Sequence, residues 1–230
     1  MSSPGQSAPG LAGSGSKPDQ VPPDIFRSAV AELEAGRDQQ MAARPELDFE
    51  EVPAPKRLAA HAAALAVSVQ AAPPAAAEIA SGRLVLLYEP GGQPGWAGPF
   101  RLVAQIQAEL DPEIAADPLL GAVGWSWLTE ALDARTAGYA APSGTVTRVV
   151  TEGFGAKQGE RAATEFELRA SWSPAATDPA LPADLASHVA AWCDAICTAA
   201  GLPPPGPDVI ALRPGADRAN GRGTRPGSVR

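Results

Sequence analysis

"FRLVAQIQAEL", residues 100–110, alternates from end to end. Phe100, Leu102, Ala104, Ile106, Ala108 and Leu110 fall on one side, and Arg101, Gln105, Gln107 and Glu109 on the other. Successive side chains of a strand point to opposite faces, so the stretch predicts a strand with one face buried and the other wet.

Its neighbours extend the pattern. "GRLVLLYEP" (82–90) is apolar on both sides and predicts a central strand, while "HAAALAVSVQA" (61–71) puts Leu65, Val67 and Val69 on one side. In "PELDFEEVPAP" (45–55), Leu47 and Phe49 alternate with acids before proline intervenes, as expected of a short edge strand. "SGTVTRVVTEGFG" (143–155) and "ATEFELRASWSP" (163–174) read as a strand pair, the second with Phe166, Leu168, Ala170 and Trp172 facing inward. Helical spacing marks three further segments. "VPPDIFRSAVAELEAG" (21–36) is expected to be capped by Asp24 and ended by Gly36. "GAVGWSWLTEALDARTAGY" (121–139) forms a second helix ending near Gly138. The third, in "LPADLASHVAAWCDAICTAAG" (181–201), stripes Leu185, Val189, Trp192 and Ile196 and stops at Gly201.

The connections between consecutive strands are short, which favours antiparallel pairing. The expectation is therefore an α+β fold with a mainly antiparallel sheet of five to six strands and three helices, in the order helix, strands, helix, two strands, helix. One domain over residues 21–207 is expected between a Ser/Gly/Pro-rich tail (1–20) and an Arg/Gly/Pro tail (208–230), where "DVIALRP" is compatible with one short strand.

Composition narrows the function classes. The 230-residue chain carries −8 overall. Residues 208–230 hold five arginines against two aspartates, a net +3, so the remainder must carry −11. An acidic body argues against nucleic acid, leaving contact through the arginine tail as a minor alternative. No apolar run reaches the roughly 18 residues of a membrane span, and the N-terminus lacks the pattern of a secretory signal. With only two cysteines, four apart on one helix, these features predict a cytoplasmic protein.

Trp125 and Trp127 stand two residues apart, about 200° around a helix, so their rings point to different sides. Trp127 groups with Leu120, Val123 and Ala131, and Trp125 with Leu128 and Leu132, an apolar arc wide enough for a helix wedged between two partners. Both rings are expected in the core, with Trp125, at the margin, the one able to line a groove or an interface. Trp96, alone in "GGQPGWAGP" (91–99), is the leading candidate for recognition. His188, Cys193 and Cys197 share a helix, but His188 and Cys197 diverge around its axis, so no metal site and no Cys–His nucleophile is expected. Glu165, Glu167 and Arg169, with Arg148 on the neighbouring strand, form a charge ladder that is either a solvated sheet face or a carboxylate–arginine site. No phosphate loop, nucleophile elbow or dinucleotide fingerprint is present, and no cofactor is expected.

On "DPLLGAVGWSWLTEAL", "SGTVTR", "ELRASWSP" and "HVAAWCDAICTAAGLPPPGP", the chain resembles the uncharacterised actinobacterial family numbered three thousand in the domain-of-unknown-function series. The resemblance runs from about Pro22 to Pro207 and is most specific in the Trp–Ser–Trp helix and the Ala–Trp–Cys–Asp segment. It implies no established activity, cofactor or catalytic residue. An Ala-, Pro- and Arg-rich composition with only three lysines suits a GC-rich actinobacterial genome. The element order is also similar to that of type III secretion chaperones, if the strand at Leu47 is discounted. The sequence points away from an enzyme and toward a cytoplasmic domain that binds a protein partner or itself, chaperone-like; a small-molecule enzyme using the sheet-face carboxylates and arginines is the alternative.

Overall fold

A computed structural model describes residues 22–71, 77–136, 138–157, 163–175 and 184–203. Helix α1 (Asp24–Ala43) precedes four strands, β1 (Leu47–Glu51), β2 (His61–Gln70), β3 (Glu78–Tyr88) and β4 (Phe100–Leu110). A single turn, α2 (Pro112–Ala115), leads to helix α3 (Leu120–Arg135). Then follow β5 (Tyr139–Thr151), a 3₁₀ turn (Gly155–Lys157), β6 (Ala163–Pro174) and α4 (Leu185–Ala199). The strands form one six-stranded sheet in the order β1-β2-β3-β4-β6-β5, and every neighbouring pair is antiparallel. The α+β class and the antiparallel sheet are as the alternation implied; α2 is a helix beyond the three expected. The segment "DVIALRP" and both tails lie outside the described residues.

All three long helices pack on one face of the sheet. Helix α4 lies between α1 and α3 and over β3 and β4. Its Val189, Trp192, Cys193 and Ile196 are fully enclosed, and residues on every side of it are buried. Helix α4 is thus enclosed on all sides, and α3 is wedged between α4 and the sheet, as its tryptophans suggested. On α3 the buried stripe is Leu120, Gly124, Leu128 and Leu132, four apart, while Val123 is 41% exposed. Trp125 and Trp127 are half-buried on either flank. Trp125 lies over Gly144 of β5, where a Cβ would meet its ring at 2.6 Å, and Trp127 tilts onto Phe166 of β6, ring centroids 5.2 Å apart.

Helix termini differ from expectation at one end of the chain. Asp24 is the first residue of α1 and does not cap it; the amides of Phe26 and Arg27 donate to the Pro23 carbonyl, and the Asp24 carboxylate pairs with Arg27. Gly36 does not end α1 either. It is buried inside the helix, where a Cβ would sit 2.8 Å from the Cα of Ala186 in α4. The missing side chain serves helix contact rather than termination. Helix α4 does end as expected: Gly201 adopts φ +71°, and the amides of Gly201 and Leu202 donate to the carbonyls of Thr198 and Cys197. At its start the Asp184 carboxylate accepts from the Ser187 amide at 3.2 Å.

A pair of glycine substitutions tests this packing. Gly36→Ala should destabilise the domain by about 1–3 kcal/mol in urea unfolding, because overpacking against backbone outweighs the gain in helix propensity. Gly121→Ala, on α3 with open space around it, should stabilise by about 0.5–1 kcal/mol.

Candidate functional site

The face of the sheet opposite the helices is half covered. Along β4 its residues pass from buried Arg101 through half-buried Val103 and Gln105 to exposed Gln107 and Glu109. On β3, Val85 and Leu87 are buried on this same face. Two connections cover this end: residues 52–60 between β1 and β2, and residues 89–99 between β3 and β4. They are stitched together, with Gln93 Nε2 donating to the Leu58 carbonyl at 2.7 Å and the Ala60 amide to Glu89 Oε2 at 3.0 Å. Gly92, Gly95 and Gly98 all have positive φ, a path that side-chain-bearing residues rarely follow, and the Ala97 amide ties the loop to Ser173 Oγ at 3.0 Å.

Under this loop lies a cleft of about 650 Å³. Trp96, half-buried, and Pro94 form one wall, Pro142 and Ser143 of β5 the other, and Arg101 and Val103 the floor. The β5 wall is irregular: the register shifts between Ala140 and Ser143, and Ala141 has φ +49°. Arg57, beside the cleft residue Leu58, has φ +75°. These are the only positive-φ residues other than glycine among the described residues, and both occur in the segments framing the cleft. Such backbone costs about 1–3 kcal/mol per residue and clusters at binding sites.

Arg101 was expected on the wet face, yet it is 6% exposed. Strand parity was right about its side of the sheet; the covering loop was not foreseen. Its Nη2 donates to Ser171 Oγ at 2.8 Å, to the Ser171 carbonyl at 3.2 Å and to Ser143 Oγ at 3.2 Å, and Nη1 reaches Ser173 Oγ at 3.4 Å. Every acceptor is neutral. No carboxylate among the described residues pairs with it, and burial pulls its pKa below the usual arginine value. Arg44, equally buried, is by contrast salt-bridged to Glu46 at 2.9 Å. The serines of "SWSP" alternating with Trp172, and the Gly/Pro loop ending just before Arg101, are the sequence signals that could have identified the site.

The other candidates do not converge. Across antiparallel strands, directly opposed residues share a face. Arg148 opposes Phe166, so it lies on the helix side, where it donates to the Ala115 carbonyl at 2.5 Å. Glu165 and Glu167 oppose Val149 and Thr147 on the other side, with Arg169. The sheet stands between Arg148 and the rest of the expected ladder. Glu167 accepts from Gln105 at 2.5 Å and Arg169 at 2.9 Å, and Glu165 is exposed. Grooves of about 350 and 330 Å³ run along this open half, lined by Ser81 and Gln107 among mostly polar side chains. Trp125 belongs to the helix-side packing and lines neither these grooves nor the cleft.

His188, Cys193 and Cys197 are all buried in α4. Trp172 Nε1 donates to His188 Nδ1 at 3.2 Å, and burial holds His188 neutral with a pKa lowered to about 4. Burial also pushes the Cys193 thiol well up and Cys197 to about 11, so both stay protonated and neither is an activated nucleophile. Among the described residues no group of three or more His, Cys, Asp or Glu side chains is placed to hold a metal, and no helix is long and apolar enough to cross a membrane.

With this geometry in hand, comparison with known proteins adds one fact. The model of a family described as protein of unknown function, DUF3000, matches residues 22–209. The chain belongs to that family. No curated protein and no solved structure matches it. The likeness to type III secretion chaperones fails at the first strand, because β1 is paired with β2 from Leu47 to Glu51 and cannot be discounted.

His188 makes stability depend on pH. Its folded pKa lies below the usual histidine value of 6.5, so as pH falls the unfolded chain takes up the proton first and unfolding is favoured. The contribution is complete above about pH 6.5 and is lost toward pH 4, about 3 kcal/mol in all. Urea unfolding at a series of pH values should show this loss, and His188→Gln, which keeps an acceptor for Trp172, should remove most of it.

Proposed function

We propose that the domain is a non-enzymatic binding module that takes a segment of a protein partner in the cleft beneath Trp96. The observation that carries this reading is the cleft itself: a half-buried tryptophan on a glycine-shaped loop, facing proline and valine over a buried arginine. Tryptophan and arginine are the side chains most often found at the energetic centres of interfaces. A catalytic reading finds less support, since the thiols are held protonated, His188 is turned to Trp172, and the charged residues of the sheet divide between its two faces. The low lysine count suits an actinobacterial source, and two free, buried cysteines suit a reducing cytoplasm.

Panning a random peptide display library on the protein tests the reading. Peptides should be enriched, and Trp96→Ala should weaken the best of them by about 2 kcal/mol or more, roughly thirtyfold, while the melting temperature moves by only a few degrees. Enrichment that is absent, or equal on both proteins, counts against the cleft.

A second copy of the chain is the other candidate partner. It is favoured by the outer edge of β5, which no strand pairs among the described residues and beside which Val149 and Val150 are 47% and 55% exposed. In that case light scattering returns a dimer mass for the full chain and a monomer for Val150→Lys; a monomer in both removes this alternative.

A further inference from the structure

Resting on the binding reading above, we infer that the Trp96 cleft is a carboxylate receptor, in which Arg101 pairs with the carboxylate of a polypeptide segment while an adjoining apolar side chain lies against Trp96 and the two prolines. The reasoning starts from what Arg101 lacks. A buried cation is costly unless an opposite charge offsets its lost hydration. Arg101 is 6% exposed and its partners are three serine hydroxyls and one carbonyl. Its Nε has no acceptor among the described residues and is open to solvent rather than enclosed, and Nη1 has only the long contact of 3.4 Å to Ser173. A guanidinium carries five N–H groups in a fixed plane, so part of the fork remains for a ligand.

The chemistry of that ligand follows from the rest of the lining. No second cation lines the cleft, so it offers one positive charge, which matches a carboxylate and leaves a phosphate dianion uncompensated. Ser143 and Ser171 present hydroxyls that can donate to the same oxygens once a ligand has displaced their mutual contact of 3.3 Å. Trp96, Pro94, Pro142 and Val103 supply stiff apolar walls, and a volume near 650 Å³ falls within the range of small-ligand sites. Leu58, at the rim and 51% exposed, extends the apolar surface outward.

The source of the carboxylate and its role are separated by one titration series on the full chain, following the Trp96 indole N–H by NMR. The probes are phenylacetate, phenylacetamide, N-acetyl-Gly-Gly-Phe as free acid and as amide, and inorganic phosphate. Both acids should bind about ten- to hundredfold more tightly than their amides, the step expected for a hydrogen bond to a charged group. Arg101→Gln should erase that preference, and Arg101→Lys should restore part of it. A two-dimensional spectrum otherwise like the parent's verifies the fold, and Ser171→Ala, which leaves the cation in place, should weaken the acids only severalfold. Equal shifts by acid and amide that survive Arg101→Gln keep the cleft as a binding site and overturn the carboxylate. Binding of phenylacetate but of neither peptide upholds the carboxylate and overturns the polypeptide partner. Phosphate binding more tightly than both acids overturns the single-charge match, and silence from all five probes overturns both readings together.

Discussion

Helix α4 is apolar on nearly all sides, and the architecture follows from having to enclose it. A helix of this kind cannot face water on any broad stripe, so it needs a sheet beneath it and a helix on each flank. The chain supplies these with little tolerance. Gly36 lets α1 approach until a side chain would collide with the backbone of Ala186, and Gly82 of β3 leaves room for Ile196 and Trp192, whose atoms would lie 2.6 and 2.9 Å from a Cβ. Ion pairs repeat the arrangement in charge. Asp194 of α4 is bonded by Arg135 of α3 at 2.7 Å and lies 3.8 Å from Arg44 at the end of α1.

Because α1, α4 and α3 all crowd one face, no helix among the described residues covers the other. The sheet meets this asymmetry in two ways. At one end its outer face is dressed with Ser81, Gln105, Gln107, Glu165 and Arg169, which tolerate water. At the other end Val85 and Leu87 need cover, and irregular loops provide it. A loop cover differs from a helix cover in consequence: its backbone follows glycine conformations, it packs less completely, and it leaves a cleft with Trp96 on its rim.

Most of the fold was legible because burial alternates with the period of the strand. The run from Phe100 to Leu110 announces its inner face residue by residue, and β1, β2 and β6 do the same. What failed to show was whatever depends on which helix meets which. Complete enclosure belongs to α4, where small alanines and cysteines accompany Trp192; enclosure is decided by neighbours, and small residues permit the closest ones. Gly36 misled for a related reason, since a glycine that ends a helix and one that seats a second helix look alike in a single sequence. Arg148 was misplaced by assuming register: one residue of slip along β5 transfers a side chain to the opposite face.

Arg101 shows why the candidate site was the hardest part to see. Alternation assigned it to a wet face, and on strand parity alone that assignment is sound. Only the return of residues 89–99 across the sheet converts a solvated arginine into a buried one, and no local pattern encodes that return. The cost is then visible in its surroundings. Three serines from β5 and β6 surround one guanidinium, β5 shifts register between Ala140 and Ser143, and Ala141 sits at positive φ. A chain free to optimise stability alone would place an apolar residue at this position, as it does at Val85 and Leu87 on the neighbouring strand. Local rules broken together at one place are what the proposed ligand would account for.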